Sequence, residues 1–363
     1  MSEGARNLSD VLYCTTSVGR VAIALPPDGV CDYMFFDSLY AYNNFKFTDK
    51  TPTGELQTYL TAAKSSQKTV HGVGINVRYV QDVSSHLKAH LADSKMFMAA
   101  LLDHKIVGFG VLSINKNQFS EPVVRGVVQA FVDVQAFVLK EFGRNDLFTV
   151  MGVYVSGSDT EDVMTKVFSS LSPPDVVIGL GHIAYPTCNM TDCEMIPHST
   201  FQNGTKANQL RAKYGTPYSM YVKIIEMANM MKKSFSGIPW AIAATLSARV
   251  YKPTDEYDIY KRCDRTGGDE QYDSPVKYCA GKLFSNNTKF GIAAYDVNYD
   301  SGESSVELCN ATVTKVGKFA RVDVMRRLRD AFRDPNLKFA KHRACIDAIL
   351  KVGETGQPSS PSG

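Results

Sequence analysis

No run of apolar residues in this sequence approaches the ~18 that a membrane-crossing helix needs. A membrane span is therefore not expected. The opening MSEGARNLSDVLYC lacks the apolar stretch of a signal peptide. Charge of one sign is also scarce: 40 Lys and Arg against 37 Asp and Glu leave +3. A nucleic-acid binder shows a far stronger basic bias, so no nucleic-acid partner is expected. The densest basic run, 321–334, is broken by Asp323, Asp330 and Asp334 and reads as the solvated face of a helix. There is no Gly-x-Ser-x-Gly elbow and no P-loop. GVGIN at 72–76 has two glycines but not the third that a dinucleotide fingerprint requires, so it reads as tight packing and no cofactor is expected. Tryptophan occurs once, at Trp240.

What is present is a globular composition, 44% hydrophobic and 21% charged over 363 residues. That suffices for one large α/β barrel or two medium domains. Eight cysteines form an even set. Five Asn-x-Ser/Thr sequons begin at Asn7, Asn189, Asn203, Asn286 and Asn310. Together they point to an oxidising, glycosylating compartment, hence an extracellular glycoprotein whose N-terminus is mature or truncated. The competing reading is a cytosolic chain with free buried thiols.

Eight Val-, Ile-, Phe- and Tyr-rich runs predict strands, at 12–18, 32–40, 69–77, 106–114, 147–155, 175–185, 239–251 and 290–300. They do not alternate strictly, as befits strands covered on both faces. Helical periodicity lies between them, clearest over 121–142 and 218–235. Pro122 falls in the first turn of the former, where its missing N–H costs nothing. Strands alternating with helices predict a (β/α)8 TIM barrel in a single domain, with a doubly wound open sheet as the alternative. The barrel is assigned to residues 11–350, after an N-terminal extension at 1–10 and before a Gly/Ser/Pro-rich tail at 351–363.

Segment order and a few anchors resemble family 18 glycoside hydrolases, the chitinases and chitinase-like lectins. The stretches YCTTS and PPDGVCDYMFFDSLY are similar to that family's first two strands, SPPDVVIGLGH to its sixth, LSARVY to its seventh and FGIAAYDVNYDS to its eighth. The resemblance spans roughly residues 12–335. It implies a Cys14–Cys31 disulfide, places Arg249 at the seventh strand's Arg, and puts Tyr295 where the eighth strand usually carries Trp. The family's fourth strand carries Asp-x-x-Asp-x-Asp-x-Glu, whose Glu protonates the leaving oxygen. Aligned on Gly110, this chain offers Phe109, Leu112, Ile114 and Lys116 at the four acidic positions, and residues 105–120 contain no Asp or Glu. Lys116 is a poor proton donor at neutral pH, because an ordinary lysine titrates near ~10.4. A glycosidase needs an acid beside the scissile bond. The resemblance therefore implies a barrel without chitinase chemistry. More narrowly, the carboxylate-poor pattern resembles secreted chitinase-like proteins of ticks.

Residues at predicted strand ends are the candidate mouth of such a barrel: Asp37, Asn76, Lys116, Tyr154, His182, Tyr185, Arg249, Tyr251, Tyr295 and Asp296. With the aromatics Tyr40, Tyr42, Phe45 and Phe47 after the second strand, they could stack on and hydrogen-bond a sugar. The expected ligand is an N-acetylglucosamine-type glycan or a protein partner, bound by a monomer. Asp37 with Asp296 could instead serve a divergent glycoside hydrolase, or the chain could be a secreted scaffold or antigen with no mouth ligand. Two Cys and two His at His182, Cys188, Cys193 and His198 raise a zinc reading. A local Cys188–Cys193 disulfide is preferred and no metal is expected. Sequence does not give the connectivity of Cys263, Cys279, Cys309 and Cys345, although proximity favours Cys263–Cys279 and leaves Cys309–Cys345.

Overall fold

The structure, a computed structural model, describes residues 8, 11–17, 25–26, 28–181, 221–243, 248–250 and 271–273. Two compact units make up the chain: Met1–Leu180 with Ile224–Ile242, and Gly181–Lys223 with Ala243–Gly363.

The first unit is built on a curled seven-stranded sheet with strands in chain order, β1 (Tyr13–Ser17), β2 (Tyr33–Leu39), β3 (Val70–Ile75), β4 (Ile106–Ile114), β5 (Phe148–Val153), β6 (Val176–Leu180) and β7 (Trp240–Ala243). β1 through β6 pair in parallel. Sequential parallel order requires a crossover after every strand, and helices supply it. α1 (Gly54–Ser65) joins β2 to β3. α2 (Val80–Ala89) and α3 (Leu91–Asp103) join β3 to β4, and α4 (Glu121–Phe142) joins β4 to β5. α5 (Ser158–Phe168) lies between β5 and β6, and α6 (Tyr221–Ser234) precedes β7. In the second unit, β8 (Ala248–Val250) pairs antiparallel with β9 (Gln271–Asp273). The run 239–251, expected as one strand, is thus two strands in different sheets. The predicted eighth barrel strand at 290–300 lies outside the described residues.

α4 shows why these helices form. Pro122 occupies its first turn, Gly143 ends it at φ +66°, and Val124, Val127, Val128, Phe131, Val134 and Val138 face inward. Contrary to the sequence expectation, α4 is long and apolar enough in composition to cross a membrane. Here its apolar side packs on the protein, and its polar side pairs with neighbours: Asp133 with Lys88 of α2, Glu141 with Lys95 of α3, and Glu121 with Lys166 of α5.

Four register partners explain how the sheet curls. Phe35, Gly72, Gly108 and Phe148 align across β2, β3, β4 and β5 on one face. A flat sheet would hold β2 and β5 about 14 Å apart, three strand spacings. Yet Tyr33 and Phe148 bring their ring centroids to 5.1 Å, and Phe35 and Phe148 to 6.0 Å. The glycines admit them: a Cβ at Gly108 would lie 2.7 Å from the Phe148 ring and 2.9 Å from that of Phe35. This face is the concave, inner one. The other meets the helices: Phe36 packs on Tyr59 of α1, and a Cβ at Gly179 would run into Ile224 of α6.

The N-terminal ends of the strands are tied by a buried polar chain. Tyr59 donates to the carbonyls of Met34 (2.6 Å) and Gly72 (2.9 Å) and lies 3.1 Å from His71 Nδ1. His71 Nε2 meets Ser66 Oγ at 3.0 Å, and Ser66 donates to Asp28. Asp28 also accepts the N–H groups of Gln67, Lys68 and Thr69, which hold its carboxyl well below the usual range. Burial pushes the His71 imidazole down to about 4. Nearby, Cys14 and Cys31 form the disulfide that the family resemblance implies, with Cα atoms 6.0 Å apart.

Candidate functional site

In parallel α/β sheets, ligands bind beyond the C-terminal ends of the strands. Two irregularities lie at that edge here. In β2, Phe36 pairs with Val73 and Leu39 with Ile75, so β2 spends three residues where β3 spends two. In β4, Val111 pairs with Met151 and Ile114 with Val153, again three against two. Each is a bulge, a device enriched at barrel rims and beside active sites because it re-aims a side chain.

The bulge in β2 sets the position of Asp37. Asp37 pairs with Ser17 of β1, on the face that carries Tyr33 and Phe35. Its Oδ1 lies 2.9 Å from where a Cβ at Gly74 would be, so Gly74 gives the carboxyl its room. Ser38 supplies a side-chain hydrogen bond. No cation touches the carboxyl among the described residues. Although the residue keeps a part-exposed edge, protein atoms enclose the carboxyl itself, and burial raises it to about 6. Asp37 is the only Asp or Glu within β1–β7.

The bulge in β4 decides what faces Asp37. Leu112 folds its methyls over both neighbouring glycines, one 3.3 Å from a Cβ at Gly74 and the other 2.8 Å from a Cβ at Gly110. The floor of the site is therefore apolar and filled. Ile114, expected to follow Leu112 toward the mouth, is instead aligned with Val111 on the helix-facing side, because the bulge shifts its register by one. Ile114 is fully buried.

The other anticipated mouth residues fall variously. Asn76 caps the short helical turn after β3, accepting the Arg78 N–H, and is half-buried. Lys116 is exposed in the turn after β4, which Asn115 organises by accepting the N–H groups of Asn117 and Gln118. Tyr154, just past β5, is buried, and its N–H bonds the carbonyl of Ile114. Arg249 lies in β8 opposite Tyr272. His182, Tyr185, Tyr251, Tyr295 and Asp296 lie outside the described residues. So do the six cysteines other than Cys14 and Cys31, and the five sequon asparagines. Thus Asp37 and Leu112 come together at this edge, with Asn76 and Lys116 on the connections that leave it.

The aromatics after β2 also separate. Tyr40 and Phe47 are core, at 1% and 0% exposure, while Tyr42 is 79% exposed. Phe45 packs edge-on against Phe36. Tyr40, Tyr42, Asn43 and Phe45 all have φ between +49° and +67°. This is a left-handed region that side-chain-bearing residues hold only where tertiary contacts enforce it. Sequence reasoning missed this backbone and the cluster that braces it; a histidine one helical turn after Asp82 was the only local signal for the latter.

No family model and no curated protein sequence matches the chain. Solved structures do. A glycoside hydrolase family 18 N-acetylglucosaminidase from Paenibacillus barengoltzii is 11% identical, over 96% of this chain and 100% of that one, with a TM-score of 0.52. A class V chitinase from Nicotiana tobaccum is 9% identical over 96% and 99%, with a TM-score of 0.53. A chitinase-like agglutinin from Robinia pseudoacacia is 10% identical over 94% and 99%, with a TM-score of 0.51. At such identities the likeness shows the fold, a TIM-barrel type of α/β architecture. It agrees with the family 18 chitinase-like resemblance of the sequence segments.

Proposed function

We propose that the chain is a secreted, chitinase-like barrel that binds an N-acetylglucosamine-type glycan at the C-terminal edge of its sheet without hydrolysing it. The reading rests on one observation: in β4 the side chain over the glycine floor is Leu112, and no residue from 105 to 120 is an acid. Glycoside hydrolysis by the usual routes needs two carboxyl groups about 5–10 Å apart across the scissile bond. Asp37 has no such companion among the described residues. A buried carboxyl without a cation still suits binding, because it accepts a hydrogen bond from a ligand hydroxyl in a desolvated place where that bond is strong. The agglutinin among the structural neighbours and the Cys14–Cys31 bond support a lectin-like, secreted role.

One observation favours a second reading. A carboxyl raised to about 6 is poised to give up a proton near neutral pH, as a general acid does. Asp37 partnered by Asp296 would then serve a divergent hydrolase.

A single experiment separates these readings. The protein is incubated with a fluorogenic chito-oligosaccharide and, in parallel, titrated with unlabelled chitotriose by calorimetry. Binding without turnover is expected. Turnover at ordinary glycosidase rates that disappears in Asp37→Asn establishes the hydrolase instead. Neither binding nor turnover defeats both and leaves a protein ligand, or a scaffold or antigen role.

A further inference from the structure

The loop at 40–50 leaves the C-terminal end of β2 with Tyr40 as its anchor. Tyr40 is 1% exposed, and its hydroxyl makes two contacts. It receives the Phe47 N–H at 3.4 Å and lies 3.0 Å from Nδ1 of His86 on α2. The Tyr40 ring stacks on both Tyr79 (5.9 Å) and His86 (5.8 Å), and Phe47 beyond it packs edge-on against Phe97 of α3. The loop thus returns on itself through one hydroxyl, and that hydroxyl is held by one imidazole.

Donor and acceptor counting fixes the protonation state. The tyrosine oxygen already accepts from Phe47, so its own hydrogen needs an acceptor. Nδ1 of neutral His86 is the partner in reach. An imidazolium carries hydrogens on both nitrogens, so Nδ1 could no longer accept and the buried hydroxyl hydrogen would be left unpaired. The segment so held includes Tyr40, Tyr42, Asn43, Phe45 and Lys50 at φ +49° to +67°, conformations that relax once contacts release them.

We infer that His86 is a protonation-controlled latch: neutral, it locks the 40–50 loop and presents Tyr42 at the rim, and as the cation it lets the loop go. The charged and titratable groups around it divide. Asp82 on its own helix and Asp49 on the loop favour the cation, while His90, whose ring is 5.6 Å away, and Lys46 oppose it. Tyr79 faces the site through Tyr40. From α3, Asp93 faces Lys50 of the loop, and from α4, Asp133 faces Lys88 of α2. Burial is the largest influence and holds His86 below the ordinary imidazole value of 6.5. A depressed histidine stabilises the closed loop fully above 6.5, and that contribution is lost as pH falls below it. This device is independent of what binds at the sheet edge.

The test is amide hydrogen exchange on the full chain, corrected for intrinsic rates, with the His86 ring followed by nitrogen NMR. Protection of the Phe47 N–H is expected to fall about tenfold from pH 7.5 to pH 5, the cost of one orphaned buried hydroxyl. In His86→Gln, whose amide oxygen accepts but does not titrate, protection should stay level with pH. Tyr40→Phe removes the proton that Nδ1 receives and should raise the His86 pKa toward 6.5. Phe47 protection that is flat with pH in the wild type, the same fall in His86→Gln, or an unmoved His86 titration in Tyr40→Phe each overturns the latch. Should His86→Gln fail to fold, the wild-type exchange profile and the Tyr40→Phe titration decide.

Discussion

Replacing Asp37 by asparagine should stabilise the protein at neutral pH. The carboxyl is raised from 3.8 to about 6 because burial disfavours its ionised form. The sign follows from linkage: an acid whose folded value is raised costs stability above about 6, and the cost disappears as pH falls toward 3.8. At 1.36 kcal/mol per tenfold change in acidity, the full cost is about 3 kcal/mol at pH 7.5 and about 0.5 kcal/mol at pH 4. Asparagine has nearly the same shape, keeps an oxygen for Ser38, and carries no charge to desolvate. Urea unfolding of both proteins at both pH values, followed by Trp240 fluorescence and far-UV circular dichroism, measures the difference. With a slope of about 2–3 kcal/mol/M, the midpoint of Asp37→Asn should rise by about 1 M at pH 7.5 and hardly move at pH 4. Groups that titrate identically in both proteins cancel. A variant less stable than wild type at pH 7.5, or equally stabilised at both pH values, would refute the idea that burial of an unpaired charge controls this site. If chitotriose binding weakens in the same variant while stability rises, Asp37 is retained for the ligand at the expense of the fold.

Two further outcomes concern the opposite end of the strands. His71 is lowered from 6.5 to about 4, so its contribution is complete above 6.5 and is lost as pH falls toward 4. The wild type should lose about 2 kcal/mol more than His71→Gln between pH 7 and pH 5 in the same urea assay; equal losses would exclude His71 as the acid-labile group. The Cys14–Cys31 bond closes a segment with a sequence separation of 17. Its removal in a Cys14→Ser/Cys31→Ser double variant should cost about 3 kcal/mol, or roughly 10 °C in the melting midpoint. An unchanged melt with and without reductant would show that the bond adds nothing.

Much of the scaffold was legible because buried parallel strands and their crossover helices write long, simple patterns. β4 and α4 occupy 106–114 and 121–142, the segments the apolar run and the 3.6-residue period mark. Where pattern is weak, the reading slipped. Residues 84–105 read as one helix, yet the chain breaks at His90, at φ −119° and ψ +49°, with neither glycine nor proline to announce it. Ser94 caps the break by bonding the His86 carbonyl, a role no spacing rule assigns. The aromatics after β2 read as a rim, but tertiary packing claimed Tyr40 and Phe47 for the core and left Tyr42 outside. His71 and His86 drew no notice in the sequence, since what makes each unusual is a partner 12 or 46 residues away.

The bulges are the deeper reason why the site resisted reading. In an all-apolar strand such as IVGFGVLSI, an extra residue leaves no trace in the hydrophobic pattern, yet it moves every later side chain to the other face. Strict alternation from Gly110 would aim Leu112, Ile114 and the next odd step at one wall. The actual register keeps Leu112 over the glycines and turns Ile114 to the helices. The same shift in β2 sets Asp37 against Gly74 instead of passing that place to Ser38. Asp37 and Leu112 therefore meet because two strands gained one residue each at corresponding heights, and the carboxyl is unpaired because its neighbour is a leucine. Whichever ligand occupies this edge must then reach Asp37 from outside the glycine floor, and a substituent pushed deeper meets methyl groups in place of an acid.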